Sequence, residues 1–167
     1  LLFQGESEKA MFVVSSIHNK IQKAKAMAEL STGLWQLNKE VEVKALLKSV
    51  DQLLKECVDE DSENEMKSSL AIEMSKQLKF DEAIKLTGID IRECETGITF
   101  RGLKCYTLLS IAAQLVENGD VDRALEIADL IGEISPLIVP LAKYYSQNGQ
   151  LQQAFDLEEK YDLDEDE

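Results

Sequence analysis

The sequence predicts an all-α fold of stacked antiparallel helix hairpins, about eight or nine helices in all. Three observations point there. Residues 77–84, 117–125 and 147–155 each run from a helix through a short polar turn into a second helix, with an alanine at a fixed place. Gly119 and Gly149 stand 30 residues apart, as do Ala124 and Ala154, a period that marks an array of hairpins burying their apolar faces on one another. Apolar residues also recur at three-and-four spacing through most of the chain, as amphipathic helices require.

Taken in order, Met11, Val14, Ile17 and Ile21 predict a helix over about 7–25. The next helix begins near Lys23 and passes Leu30 and Leu34 to stop near Asn38, a residue that tolerates the left-handed conformation. Val43, Leu46, Leu47, Val50, Leu53 and Leu54 define one face of a third helix. The charged run 59–65 follows, with Ser62 or Asn64 expected to cap the helix of Leu70, Ala71, Met74 and Leu78. A turn at Lys79, Phe80 and Asp81 leads to a short helix that ends at Gly88. Residues 88–102 break the pattern: Ile89, Ile91, Ile98 and Phe100 alternate with polar residues about Glu95, Thr96 and Gly97. An irregular connector and a small inserted hairpin both fit that spacing.

Helical spacing resumes at Leu103, turns at Asn118, Gly119 and Asp120, and continues to Ile131. Ser135 is placed as the cap of the next helix, with Pro136 at its first position and Pro140 early within it. That helix reaches Asn148 and Gly149, and a last one carries Leu151, Ala154, Phe155 and Leu157. Ala112, Ala124, Ala142 and Ala154 are expected where helix backbones approach at roughly 8–10 Å.

The joint placement of Gly, Ala and flanking apolar residues resembles the tetratricopeptide-like helical-hairpin repeats. Four units cover most of the chain, at about 24–57, 66–88, 103–133 and 136–161. The first aligns on Ala45 if a two-residue insertion follows Asn38. Equivalent alanines (Ala45, Ala83, Ala124, Ala154) are then 38, 41 and 30 residues apart, against about 34 in regular arrays, which makes the chain a divergent relative. The resemblance implies a right-handed superhelix, an α-α solenoid, over residues 7–161. Residues 1–6 are set aside as a protease-site remnant or disordered leader, and 162–167 as an acidic tail.

Composition narrows function. Lys and Arg number 18 against 32 Asp and Glu, a formal charge of −14 that repels phosphate backbones, so nucleic acid is not an expected partner. No apolar run approaches the ~20 residues of a membrane span. Cys57, Cys94 and Cys105 are odd in number and unpaired in spacing, which points to reduced thiols and a cytoplasmic setting, with export as an effector left open.

Catalytic and cofactor motifs are missing from the letters. His18 is the one histidine and is expected on a helix surface. The run Asp59, Asp61, Glu63 imitates the start of a calcium loop, but Leu70 stands where the bidentate Glu belongs. The three thiols have no base beside them in sequence and are expected to be structural. No catalytic, metal or cofactor residue is therefore assigned, and an enzyme is not expected.

What remains is binding. Trp35, Tyr106 and Tyr144 carry the amphipathic rings that anchor interfaces, and Arg101 lies in the irregular segment, where array insertions gather on one face. Helical spacing gives Trp35 and Tyr145 a packing role, and adjacency turns one of Tyr144 and Tyr145 outward. The expected function is a protein–protein interaction module, an adaptor, scaffold or effector, that binds a peptide or helical partner through a groove or exposed helix face, with acidic side chains favouring Lys and Arg on that partner. The alternative is a small acidic secretion-type chaperone that holds an unfolded cargo segment.

Overall fold

The computed structural model describes residues 6–89 and 102–160, and within them the chain is all α-helix with no strand. The nine helices are α1 (Ser7–Ser15), α2 (Lys20–Gln36), α3 (Glu40–Lys55), α4 (Glu60–Lys76), α5 (Phe80–Leu86), α6 (Leu103–Glu117), α7 (Val121–Ile131), α8 (Ser135–Gln147) and α9 (Leu151–Lys160). Residues 90–101 of the alternating segment, with Cys94 and Arg101 among them, the side chain of Phe155, residues 1–5 and the acidic end lie outside the described part.

One short turn occurs four times, and Gly132 repeats its backbone and its hydrogen bond (Glu133 amide to Ala128 carbonyl, 3.1 Å) before a longer link to α8. Asn38, Leu78, Gly119 and Gly149 all take left-handed backbone, with φ of 57°, 62°, 87° and 72°. The next amide donates to the carbonyl five residues back in each case: Lys39 to Leu34, Lys79 to Met74, Asp120 to Leu115 and Gln150 to Tyr145, at 2.8–3.0 Å. This bond closes the end of the first helix, and one residue later the second helix starts. Asn118 and Asn148 add the same side-chain cap, each Nδ2 donating to the carbonyl four residues back, Gln114 and Tyr144, at 2.7 and 2.8 Å.

The turns fix the repeat phase. Five residues beyond each left-handed residue stand Val43, Ala83, Ala124 and Ala154. Val43, Ala83 and Ala124 are buried and Ala154 is half-buried, whereas Ala45 is exposed on α3. The first hairpin thus carries valine at the small-residue position. The two-residue insertion that would have aligned Ala45 is not there, because the Asn38 turn has the same length as the others. The turn expected at Lys79–Asp81 lies instead at Leu78, and Phe80 already opens α5. A leucine in left-handed backbone is strained by about 1–2 kcal/mol, so local preference alone places the turn wrongly.

Helix starts differ from expectation in three further places. The helix predicted over 7–25 is broken at 16–19, and His18 falls in that link. Ser15 and Ser16 hydroxyls donate to the Phe12 and Val13 carbonyls at 2.7 and 2.6 Å, while Asn19 Oδ1 accepts from the Gln22 amide at 3.0 Å and starts α2. Within the acidic run the helix already begins at Glu60, because Asp59, not Ser62 or Asn64, caps α4 by accepting from the Ser62 amide at 2.8 Å. At α8 the cap expected from Ser135 comes from Glu133, whose Oε1 accepts from the Ser135 amide at 3.0 Å. Hydrogen bonds from the Ser135 hydroxyl and amide hold the Glu133 carboxyl below its usual range. Pro136 lies in the first turn of α8 and the helix continues through Pro140.

The chain divides into two compact units, described over 6–89 with 102–107 and over 108–160. In the first unit α2 packs on α1, α3 and α4, and α4 packs on α3 and α5. Ala24, Ala28, Val50, Met66 and Leu70 form one cluster, the two alanines at i and i+4 leaving room for a neighbouring backbone. Leu30, Leu34, Val43 and Leu46 form another. A buried polar clasp ties α2 to the end of α4: Gln77 Nε2 donates to Ser31 Oγ at 2.8 Å and Thr32 Oγ1 at 3.2 Å. Lys79 Nζ in turn donates to Gln77 Oε1 at 3.2 Å. In the second unit Leu108, Ile111, Ala112, Leu115, Ala124, Ile127, Leu137 and Leu141 are fully buried, and α8 packs on α9.

Candidate functional site

The four residues singled out from the sequence have different fates. Trp35, in the last turn of α2, is half-buried against the cluster of Leu30, Leu34, Val43 and Leu46, so its ring packs the first hairpin. Tyr106 is 65% exposed on α6 between buried Cys105 and Thr107, which places its ring on the outer side of that helix. Arg101 lies outside the described residues. Tyr144 is half-buried in the second unit and sits in a cleft.

That cleft follows from two consecutive turns. The left-handed Gly119 lets α6 reverse into α7 within three residues, which brings Asp120, Val121 and Asp122 to the cleft. Gly149 does the same between α8 and α9 and brings Gln150 and Gln153 there. Tyr144 and Tyr145 close the space from α8. A β-carbon built on Gly119 would stand 3.7 Å from Tyr144 Cε2, so the ring lies directly against the turn. The two tyrosine rings meet edge to face, with centroids 5.7 Å apart and planes at 66°. Both tyrosines are half-buried, whereas one of them was expected to turn outward. The cleft measures about 270 Å³, and among the described residues its lining has two carboxylates, two primary amides and two phenol rings and no cation.

A second, much smaller recess of about 10 Å³ lies beside Ser68, Thr87 and Thr107, room for about one water. Its buried Ser68 and Thr107 hydroxyls bond each other, and Thr107 Oγ1 donates to the Leu103 carbonyl at 2.7 Å. It is a packing detail of the first unit. Among the described residues no three His, Cys, Asp or Glu side chains gather as a metal site, and no helix is long and apolar enough to cross a membrane. Burial pushes the Cys105 thiol up, away from thiolate character.

Asp120, Asp122, Gln150 and Gln153 fall within the repeated stretches 117–125 and 147–155, but nothing in the sequence marked them as neighbours of Tyr144. The signal that joins Asp120 and Gln150 is their shared offset of one residue from Gly119 and Gly149, since residues at like offsets in stacked hairpins come together. Comparison of the chain with protein-family models, with curated proteins and with solved structures finds no match.

Proposed function

We propose that this chain is a protein–protein interaction module of the tetratricopeptide-like kind, its hairpins stacked as a right-handed array that holds a peptide or helical segment of another protein. The observation that carries the reading is the fourfold turn at Asn38, Leu78, Gly119 and Gly149, with one hydrogen-bond pattern throughout. Chains built from such units gain stability by stacking and offer side chains along their outer faces, so they recognise other chains by shape and anchoring residues. Tyr106 on α6 and Tyr144 in the second-unit cleft are the anchors in this reading, and Trp35 serves the fold. The formal charge of −14 favours a basic partner and speeds its approach.

The test is affinity capture from native lysate with the unaltered protein, Tyr106→Ala and Tyr144→Ala, each first checked for unchanged helix content. A partner held by the unaltered protein, lost by one tyrosine variant and released between low and physiological salt is the expected result. Identical capture by all three proteins would refute the anchors, and capture indifferent to salt would refute the electrostatic part.

A further inference from the structure

We propose that Asn148 is a site of spontaneous deamidation, where the Gly149 amide displaces the side-chain amide and the α8–α9 turn gains a carboxylate. The inference is independent of any partner and goes beyond the interaction reading.

The chemistry follows from neighbours in sequence. When the backbone amide after an asparagine loses its proton to hydroxide, its nitrogen can attack Cγ of that asparagine. A nitrogen–carbon bond forms, the side-chain nitrogen takes up a proton and leaves as ammonia, and a cyclic succinimide remains. Water then opens the ring at either carbonyl to give aspartate or isoaspartate, so the sum is amide plus water to acid plus ammonia. Glycine favours the attack because no β-carbon crowds its nitrogen. Of the five asparagines, Asn19, Asn38 and Asn64 precede lysine, lysine and glutamate, while Asn118 and Asn148 precede glycine.

The fold separates these two identical dipeptides. Both are exposed, so hydroxide and water reach them alike. Both asparagines donate from Nδ2 to the last turn of their own helix, at the Gln114 and Tyr144 carbonyls, which commits the carboxamide to that helix and not to the following nitrogen. Attack therefore waits until the turn opens locally. At Gly119 opening is resisted. Its amide donates to the Val116 carbonyl at 3.0 Å, the Tyr144 ring lies against it, and α7 buries Ala124, Ile127, Ala128 and Leu130 just beyond. The Gly149 turn is held more loosely. Its amide reaches the Ser146 carbonyl at 3.3 Å, and a β-carbon built on it would meet nothing within 4 Å. In the first turn of α9 Leu151 is 56% exposed, Gln152 and Gln153 are exposed, and Ala154 is half-buried where its counterpart Ala124 is wholly buried. Little apolar area is lost when that turn opens, so Asn148 is the reactive asparagine of the pair.

The product does not suit the turn. An ionised aspartate at 148 has no hydrogen to give the Tyr144 carbonyl, and its charge falls at the negative end of the α8 dipole. Isoaspartate also lengthens the main chain by a methylene. Either product weakens closure of the hairpin, so conversion leaves α9 less firmly held.

The experiment keeps the full chain in mildly alkaline buffer well below its melting midpoint, beside a second sample unfolded in urea. Peptide mass spectrometry follows the amide-to-acid mass gain at both asparagines, and enzymatic methylation reads isoaspartate. In the folded sample Asn148 should convert about tenfold faster than Asn118, and in urea the two rates should come together. Asn148→Asp should speed amide hydrogen exchange in α9 and leave α6 and α7 as they were. Equal folded rates, or Asn118 ahead, would overturn the assignment. A gap that persists in urea would place its cause in local sequence and overturn the role given to the fold. Unaltered exchange in α9 of Asn148→Asp would overturn the loosening of the hairpin.

Discussion

The phase of the repeat makes the most demanding prediction. Ala124 is wholly buried five residues after the Gly119 turn, Val43 is buried five residues after Asn38, and Ala45 is exposed two residues further on. Ala124→Leu must force extra carbon atoms into a space already filled, at a cost of about 1–3 kcal/mol. For a chain of this length each kcal/mol lowers the melting midpoint by roughly 2–4 °C. Val43→Ala removes two buried methyl groups, worth about 2 kcal/mol once the residual cavity is included. Ala45→Leu points into water and should stay within about 0.5 kcal/mol of the starting protein. Urea unfolding followed by helix circular dichroism reads all three. A loss in Ala45→Leu as large as that in Ala124→Leu would mean that Ala45 is the contact residue, and the turn-based phase would be wrong.

Three further outcomes follow from the same geometry. Gly149→Ala should cost about 1 kcal/mol through backbone strain alone, because nothing lies within 4 Å of the added carbon; an unchanged unfolding midpoint would argue against the left-handed turn. Gln77→Ala leaves the buried Ser31 and Thr32 hydroxyls without their donor and should cost about 1–3 kcal/mol, whereas a neutral result would mean that water replaces the amide. Asp59 is held below its ordinary value by hydrogen bonds from the Ser62 amide and hydroxyl, Glu56 by the Lys20 ammonium, and Glu133 by Ser135. Because each folded carboxyl is the stronger acid, its contribution is present above the unfolded value and disappears as pH falls through the folded one. Thermal melts of Glu56→Gln, Asp59→Asn, Glu133→Gln combined should therefore lose less stability between neutral and acid pH than the starting protein, and an equal loss would show that these contacts do not favour the ionised form.

How much of this the letters carried depended on whether a residue's own chemistry or its surroundings decided the outcome. Gly119 and Gly149 announce their turns because glycine alone pays nothing for positive φ, and Asn38 does so more faintly. Leu78 gives no such notice. Its turn is imposed by packing on both sides, where Ala83 and the Gln77 clasp must face the core, so the strain is tolerated and not chosen. Caps behave similarly. Ser62, Asn64 and Ser135 were all plausible starts by type, yet Asp59 and Glu133 take the role, and within an acidic run sequence offers no means to choose among neighbouring acceptors. The break before α2 was hidden because Ile17 and Ile21 keep helical spacing across it, while Ser15, Ser16 and Asn19 end one helix and begin the other.

The cleft raises a different point about what a repeat encodes. Tyr144 could be chosen from adjacency with Tyr145, but no local rule couples it to Asp120, 24 positions earlier. The repeat does. Asp120 and Gln150 each follow a left-handed glycine by one residue, and both line the cleft around Tyr144. In a chain of hairpins the distance in sequence between neighbours in space is nearly the period itself, so offset from the turn serves as a coordinate. By that coordinate the first two hairpins present Lys39 and Lys79 where the last two present Asp120 and Gln150. Lys39 Nζ is spent on the Ser7 hydroxyl at 2.7 Å and Lys79 Nζ on the Gln77 amide oxygen at 3.2 Å. The position is thus used for internal clasps in the first unit and stands exposed beside Tyr144 in the second.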